Sequence, residues 1–200
     1  MRLLADCYRP PAPGVGRMVA ELEFLVSLWH PRSAPHAAAM LADCGDPEEM
    51  LKVYARLFLG PFSLLAPPYG SVYLDPGRTV MGPSTRAVAA LYQQEGLDLA
   101  PGFNEAPDHI TVELEFLHYL LARRAEAQAG GDAGAAQAWA EKASRFLAGH
   151  LGRWLGEFCW LMRKEAGGGF YAELADLTIS LVRAEWNLPH SRGRGSATGP

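Results

Sequence analysis

Apolar residues recur along the chain every three or four positions, the period of one face of an α-helix. Val15, Met18, Val19, Leu22, Leu25, Val26 and Trp29 mark a first inner face, which Pro31 closes. A second helix has a written start: Asp46 as N-cap, Pro47 at the first helical position and Glu49 completing a capping box. Its face is Met50, Tyr54, Leu57 and Phe58, and Gly60-Pro61 stops it. "STRAVAALYQQEG" predicts a short helix ended by Gly96. Further helices carry Ile110, Leu114, Leu117 and Leu121, then Trp139, Ala143, Phe146, Leu147 and His150. Another carries Trp154 or Leu155, Phe158, Cys159 and Met162, and stops at Gly167 to Gly169. The last runs from about Phe170 to Trp186 on Tyr171, Leu174, Thr178, Leu181 and Val182.

Two segments break the rhythm. Residues 61–83 hold five prolines and three glycines, which exclude a helix through them, yet they are rich in Phe, Leu, Tyr and Val. A long apolar loop lies against a core or lines a groove for something else. The tail 187–200 is polar and predicted to be disordered. With no alternating strand pattern, the expectation is all-α: one helical-bundle domain over 1–186, of about seven to nine helices.

Composition narrows the function classes. The 200 residues carry a formal net charge of -4, which argues against a nucleic-acid surface, where a basic stripe belongs. Three cysteines, Cys7, Cys44 and Cys159, are odd in number and lie at no metal-ligand spacing, so a disulfide framework is not expected and a reducing, cytoplasmic compartment is. No apolar run is long enough for stable membrane insertion.

The chemistry concentrates in "GFNEAPDHITVELEF", Gly102 to Phe116, where Glu105, Asp108 and His109 precede a helix. His109 and Glu113 are one turn apart, and Glu115 and His118 are three apart. A di-metal site needs a second such pair and further carboxylates, so no metal or other cofactor is expected, and Glu115 and His118 read as solvated charges. Ser71 in "YGSVY" is not a nucleophile elbow, and the glycine-rich stretches lack the lysine of a phosphate loop. Asp108 suits a helix N-cap. The residues alone leave open a cap, an acid/base pair and a surface for a cationic partner.

"LFLGPFSLLAPPYGSVYLD" (Leu57 to Asp75) followed by "FNEAPDHITVELEFL" (Phe103 to Leu117) resembles the TorD/DmsD/NarJ family of cytoplasmic chaperones for molybdenum-cofactor oxidoreductases. The resemblance continues in Phe146 to Phe158 and Phe170 to Val182. It implies an all-helical, non-enzymatic protein that binds a molybdoenzyme catalytic subunit or its twin-arginine signal peptide until the cofactor is inserted. The implied peptide-binding residues are Phe62, Tyr69, Gly70, Ser71, Val72, Tyr73, Leu74, Asp75, Glu105, Pro107, Asp108 and His109. On this reading Glu105, Asp108 or Asp75 receives arginines and the aromatic residues receive an apolar segment. His109 would register whether the acids are occupied. The chain would be a monomer or a domain-swapped dimer. The alternatives are a small helical enzyme using Asp108 and His109 as acid and base, and a plain helical scaffold.

Overall fold

A computed structural model of the protein describes residues 1–60, 64–100 and 102–186; Phe62 and the tail from Asn187 lie outside them. The described residues form ten α-helical segments and no named strand. They are α1 (Arg2–Asp6), α2 (Val15–Trp29), α3 (Ala34–Ala42), α4 (Pro47–Tyr54), α5 (Gly70–Leu74), α6 (Pro83–Gln94), α7 (Ile110–Ala129), α8 (Ala133–Phe146), α9 (Gly152–Ala166) and α10 (Phe170–Trp186). α4 runs on into a π-helical turn, Ala55–Leu59, and a second π turn, Leu147–Leu151, joins α8 to α9. The two helices expected around Trp139 and Trp154 are therefore one continuous rod.

α7 is the axis. From Ile110 to Leu120 eight of the eleven residues are buried, and only Glu115, His118 and Tyr119 mark an open side. α8 and α1 pack on it, and α9 packs on α10, which also holds α3. The faces expected for α4, α9 and α10 are all buried. An aromatic cluster fills the centre. Phe58 stands 5.0 Å from Tyr54, 5.8 Å from Tyr171 and 6.3 Å from Phe158, in edge-on or tilted pairs that suit ring quadrupoles. Tyr8 joins it and places its hydroxyl 2.7 Å from that of Thr178, which bonds back to the Leu174 carbonyl.

Three local expectations need correction. On α2 only Val19, Leu22 and Val26 are buried, whereas Leu25 is 38% and Trp29 71% exposed. α2 meets α1 and α3 alone among its substantial contacts, so its covered stripe is narrower than its apolar one. Asp46 does cap α4, taking the Glu48 N–H, but Glu49 pairs with Lys52 at 2.6 Å instead of completing a capping box. The proline-rich stretch holds a helix after all: α5 is five residues long and fits between Pro68 and Pro76.

The second π turn ends at Gly152, where a Cβ would overlap the Trp186 ring and the Leu147 carbonyl. Gly156, one turn on, has open space around the same position. Gly152→Ala should cost about 1–3 kcal/mol through overpacking against backbone. Gly156→Ala should stabilise by up to about 1 kcal/mol, the ordinary helix preference. Urea unfolding of the two variants checks the sign; equal effects would contradict the packing at Gly152.

Candidate functional site

Residues 67–75 and 105–113 lie far apart in sequence and are fastened side by side. The Gly70 N–H donates to the Asp108 carbonyl at 2.9 Å, and the Ser71 N–H to the Asp108 carboxylate at 2.7 Å. The Ile110 N–H donates to the Pro68 carbonyl at 2.9 Å, and Tyr69 and His109 form an isolated antiparallel bridge. The Tyr92 hydroxyl adds a bond to the Pro107 carbonyl. Pro67 and Pro68 fix the approach to α5, and Asp108 satisfies one of its free N-terminal amides. The expected cap of α7 is thus displaced by one residue. Asp108, completely buried, serves α5, while His109 Nδ1 accepts from the Thr111 N–H and sits 2.6 Å from its hydroxyl.

A second polar layer lies beneath. Glu113, on the face of α7 turned to α5 and α9, has no exposed surface. Its carboxylate takes the Trp154 indole N–H at 3.2 Å and lies 2.9 Å from His150 Nε2. The π turn carries His150 and places it one turn before Trp154. α5 rests on this group at Gly70, where a Cβ would stand 3.0 Å from the Trp154 nitrogen and 3.1 Å from Glu113. Burial raises the Glu113 pKa to about 7, against the opposing hydrogen bond and charge of His150. Burial lowers that of His109 to about 4, against the opposing charges of Glu105 and Asp108. The lowered pKa favours the uncharged imidazole, the form whose Nδ1 can accept the Thr111 N–H.

The predicted site residues divide into two sets. Gly70, Ser71, Val72, Asp108 and His109 are interior. Tyr69, Tyr73, Leu74, Asp75, Glu105 and Pro107 are half-buried at the surface. The Tyr69 hydroxyl donates to Glu105 at 2.8 Å, and its ring stands edge-on to His109 at 5.1 Å. Burial, then that hydrogen bond, raises the Tyr69 pKa and keeps it a donor. Tyr73 stacks on Trp154 at 5.6 Å. Asp75 is occupied: it accepts from the Ser84 N–H and hydroxyl and so caps α6, leaving it less suited to an incoming arginine. Asp108 and His109 direct their bonds to different partners, Ser71 and Thr111, and are not arranged as an acid/base pair. The sequence did not single out the group Glu113–His150–Trp154; its signal was an acid between Ile110, Leu114 and Leu117 on an inner face, with His150 on another. Elsewhere, His36, Glu173 and Asp176 cluster between α3 and α10, where Arg163 pairs with Asp176 at 3.3 Å.

The family model described as nitrate reductase delta subunit matches residues 21–160. The Tat proofreading chaperone DmsD of Salmonella paratyphi A is 31% identical over 145 residues, 71% of this chain and 64% of that one. The chaperone protein TorD of Shewanella loihica is 33% identical over 170 residues, 80% of this chain and 74% of that one. The chain spans just under two thirds of the length of the DmsD relatives it matches. A crystal structure from Archaeoglobus fulgidus, provisionally described as a redox enzyme maturation protein, covers 92% of this chain and 88% of its own with a TM-score of 0.54 at 22% identity, a likeness of fold. No described helix is long and apolar enough to cross a membrane.

Two predictions follow from the polar layers. Asp108→Ala leaves the buried Ser71 N–H without its acceptor and should cost about 1–3 kcal/mol in urea unfolding. Asp108→Asn, which keeps an acceptor, should cost less than about 1 kcal/mol, and equal losses would deny the bond its role. The pH dependence has two opposed parts. Glu113, raised when folded, contributes stability that is complete below about pH 4.5 and lost as pH rises through about 7. His109, lowered when folded, contributes stability that is complete above about pH 6.5 and lost as pH falls through about 4. Relative to the parent, Glu113→Gln should therefore gain stability as pH rises from 4.5 to 7. His109→Asn should gain as pH falls from 6.5 to 4. Parallel profiles for all three proteins would rule this out.

Proposed function

This chain belongs to the nitrate reductase delta subunit family and is related to TorD and DmsD, and from that membership we propose that it is a chaperone, not an enzyme, that acts in the cytoplasm. It binds the twin-arginine signal peptide of a molybdenum-cofactor oxidoreductase, or the catalytic subunit itself, and delays export or assembly until the cofactor is in place. The names its relatives carry, Tat proofreading chaperone and chaperone protein, support this reading.

One observation carries it to particular atoms. Glu105 stands at the surface with its carboxylate steadied by the Tyr69 hydroxyl at 2.8 Å, on the seam where the two distant segments join. A carboxylate so oriented suits the two-pronged donor array of a guanidinium, and the neighbouring faces of Tyr69 and Pro107 suit apolar side chains. Asp108 acts one step removed. It holds α5 and therefore Tyr69, and does not itself meet the client, because its carboxylate is enclosed.

A double-mutant cycle by titration calorimetry tests the contact. Glu105→Gln should weaken binding of a twin-arginine peptide by about five- to fiftyfold, the range between an exposed and a well-formed ion pair. Replacing both peptide arginines with glutamine should produce a similar loss, and the combined loss should be less than the sum. Losses that simply add would remove Glu105 from the arginine site.

A further inference from the structure

Beside the Glu105 seam runs an open groove of ≈ 470 Å³, walled by Leu97, Leu99, Phe103, Phe116 and Tyr119 and flanked by Asp98 and Glu115. One cation lies in it, and it is the chain's own. Arg9, just after α1, places Nη2 2.7 Å from Glu115 Oε1 and its guanidinium carbon 5.7 Å from the centre of the Phe103 ring. Its Nε makes a longer contact, 3.2 Å, with Asp6. Tyr8, fully buried beside it, anchors the backbone from which Arg9 reaches out.

This is a complete arginine seat: a carboxylate for the N–H groups and an aromatic face for the planar cation. It is also a weak one. The Arg9 and Glu115 side chains are 43% and 44% exposed, and an ion pair so open to water exchanges readily. The seat adjoins the site already described, since Phe103 is two residues from Glu105 and the charge of Arg9 contributes to the lowered pKa of His109.

We propose that Arg9 is an internal placeholder, occupying at Glu115 and Phe103 the seat taken by one arginine of the client peptide, whose following apolar residues lie along Leu97, Leu99 and Phe116. The inference rests on the reading given under Proposed function and adds a second arginine position to that at Glu105. An extended peptide with two consecutive arginines directs them to opposite sides, so two separate seats suit it better than one. The internal cation also imposes selectivity. Only a ligand that replaces both the carboxylate contact and the ring contact displaces Arg9 without loss, which favours arginine over lysine.

Titration calorimetry with a twin-arginine peptide and the full chain tests this. Arg9→Gln empties the seat and should tighten binding about two- to fivefold, the gain from removing a competitor that fills a site most of the time. Glu115→Gln should weaken binding about threefold or more, and in the double variant the gain from Arg9→Gln should vanish. Arg9→Lys, which keeps the charge without the planar fork, should fall between the parent and Arg9→Gln and guards against a folding defect in the glutamine variant. If the parent distinguishes arginine from glutamine peptides while Arg9→Gln and Glu115→Gln leave affinity unchanged, the seat is refuted and the chaperone reading stands. If Arg9→Gln weakens binding with melting temperature unaltered, Arg9 is a contact and not a competitor, and the proposal is overturned. If the parent binds both peptides alike, the signal-peptide form of the chaperone reading fails and the seat fails with it, leaving only binding of the catalytic subunit.

Discussion

Asp108 binds two consecutive amides, those of Gly70 and Ser71, with its backbone carbonyl and its carboxylate, and the arrangement of the surface above depends on that pair of bonds. α5 has five residues, too few for a helix to hold itself together in water. Its orientation comes from outside: a buried charged acceptor at its first turn, the Pro68–Ile110 bond at its approach and Trp154 beneath it. A hydrogen bond accepted by a buried carboxylate is among the stronger kinds in a protein, roughly 1.5–3 kcal/mol. Leaving either partner unmade costs at least as much, so the two segments are held in one relative position.

The layer below follows the same logic. Gly70 allows α5 to approach until it rests on Glu113 and the Trp154 indole, and the π turn brings His150 to the other side of that carboxylate. A π turn inserts one extra residue into a helix and turns the following face, a device found often at functional positions. Here it lets one continuous rod place both His150 and Trp154 against a single acid. Buried polar groups of this kind add little net stability compared with apolar packing, but they strongly penalise any arrangement that breaks them. The consequence is a fixed base under Tyr69, Tyr73 and Glu105.

Charges at the surface have the opposite character. Arg9–Glu115, Arg78–Glu157 and Lys52–Glu49 are exposed pairs that water and salt screen. A binding surface that trades an internal partner for an external one needs pairs of this weak kind, set on a base of the strong kind. At the seam the two are kept apart: Asp108 and Glu113, which hold α5 and its base, are enclosed, and Glu105 and Glu115 stand at the rim.

What the sequence determined by itself is what local rules govern. The period of Leu, Phe and Trp identified the long helices, because one face must leave water whatever it packs against. Gly167, at φ 73°, stopped α9 as its missing Cβ allows. The motif strings marked the two segments that the fold fastens side by side. Tertiary structure alone decided the rest. Leu25 and Trp29 have the spacing of a buried face and stay exposed because, among the described residues, the substantial contacts of α2 are with α1 and α3. Asp108 has the composition of a cap for α7 and instead caps α5, 37 residues earlier, since the nearest free amides in space were not the nearest along the chain. Glu113 reads as one more helical acid, and only the approach of His150 and Trp154 from another helix makes it a buried one. A hydrophobic period is a property of each segment; a hydrogen-bond partner is a property of two, and their meeting is fixed only when the core closes.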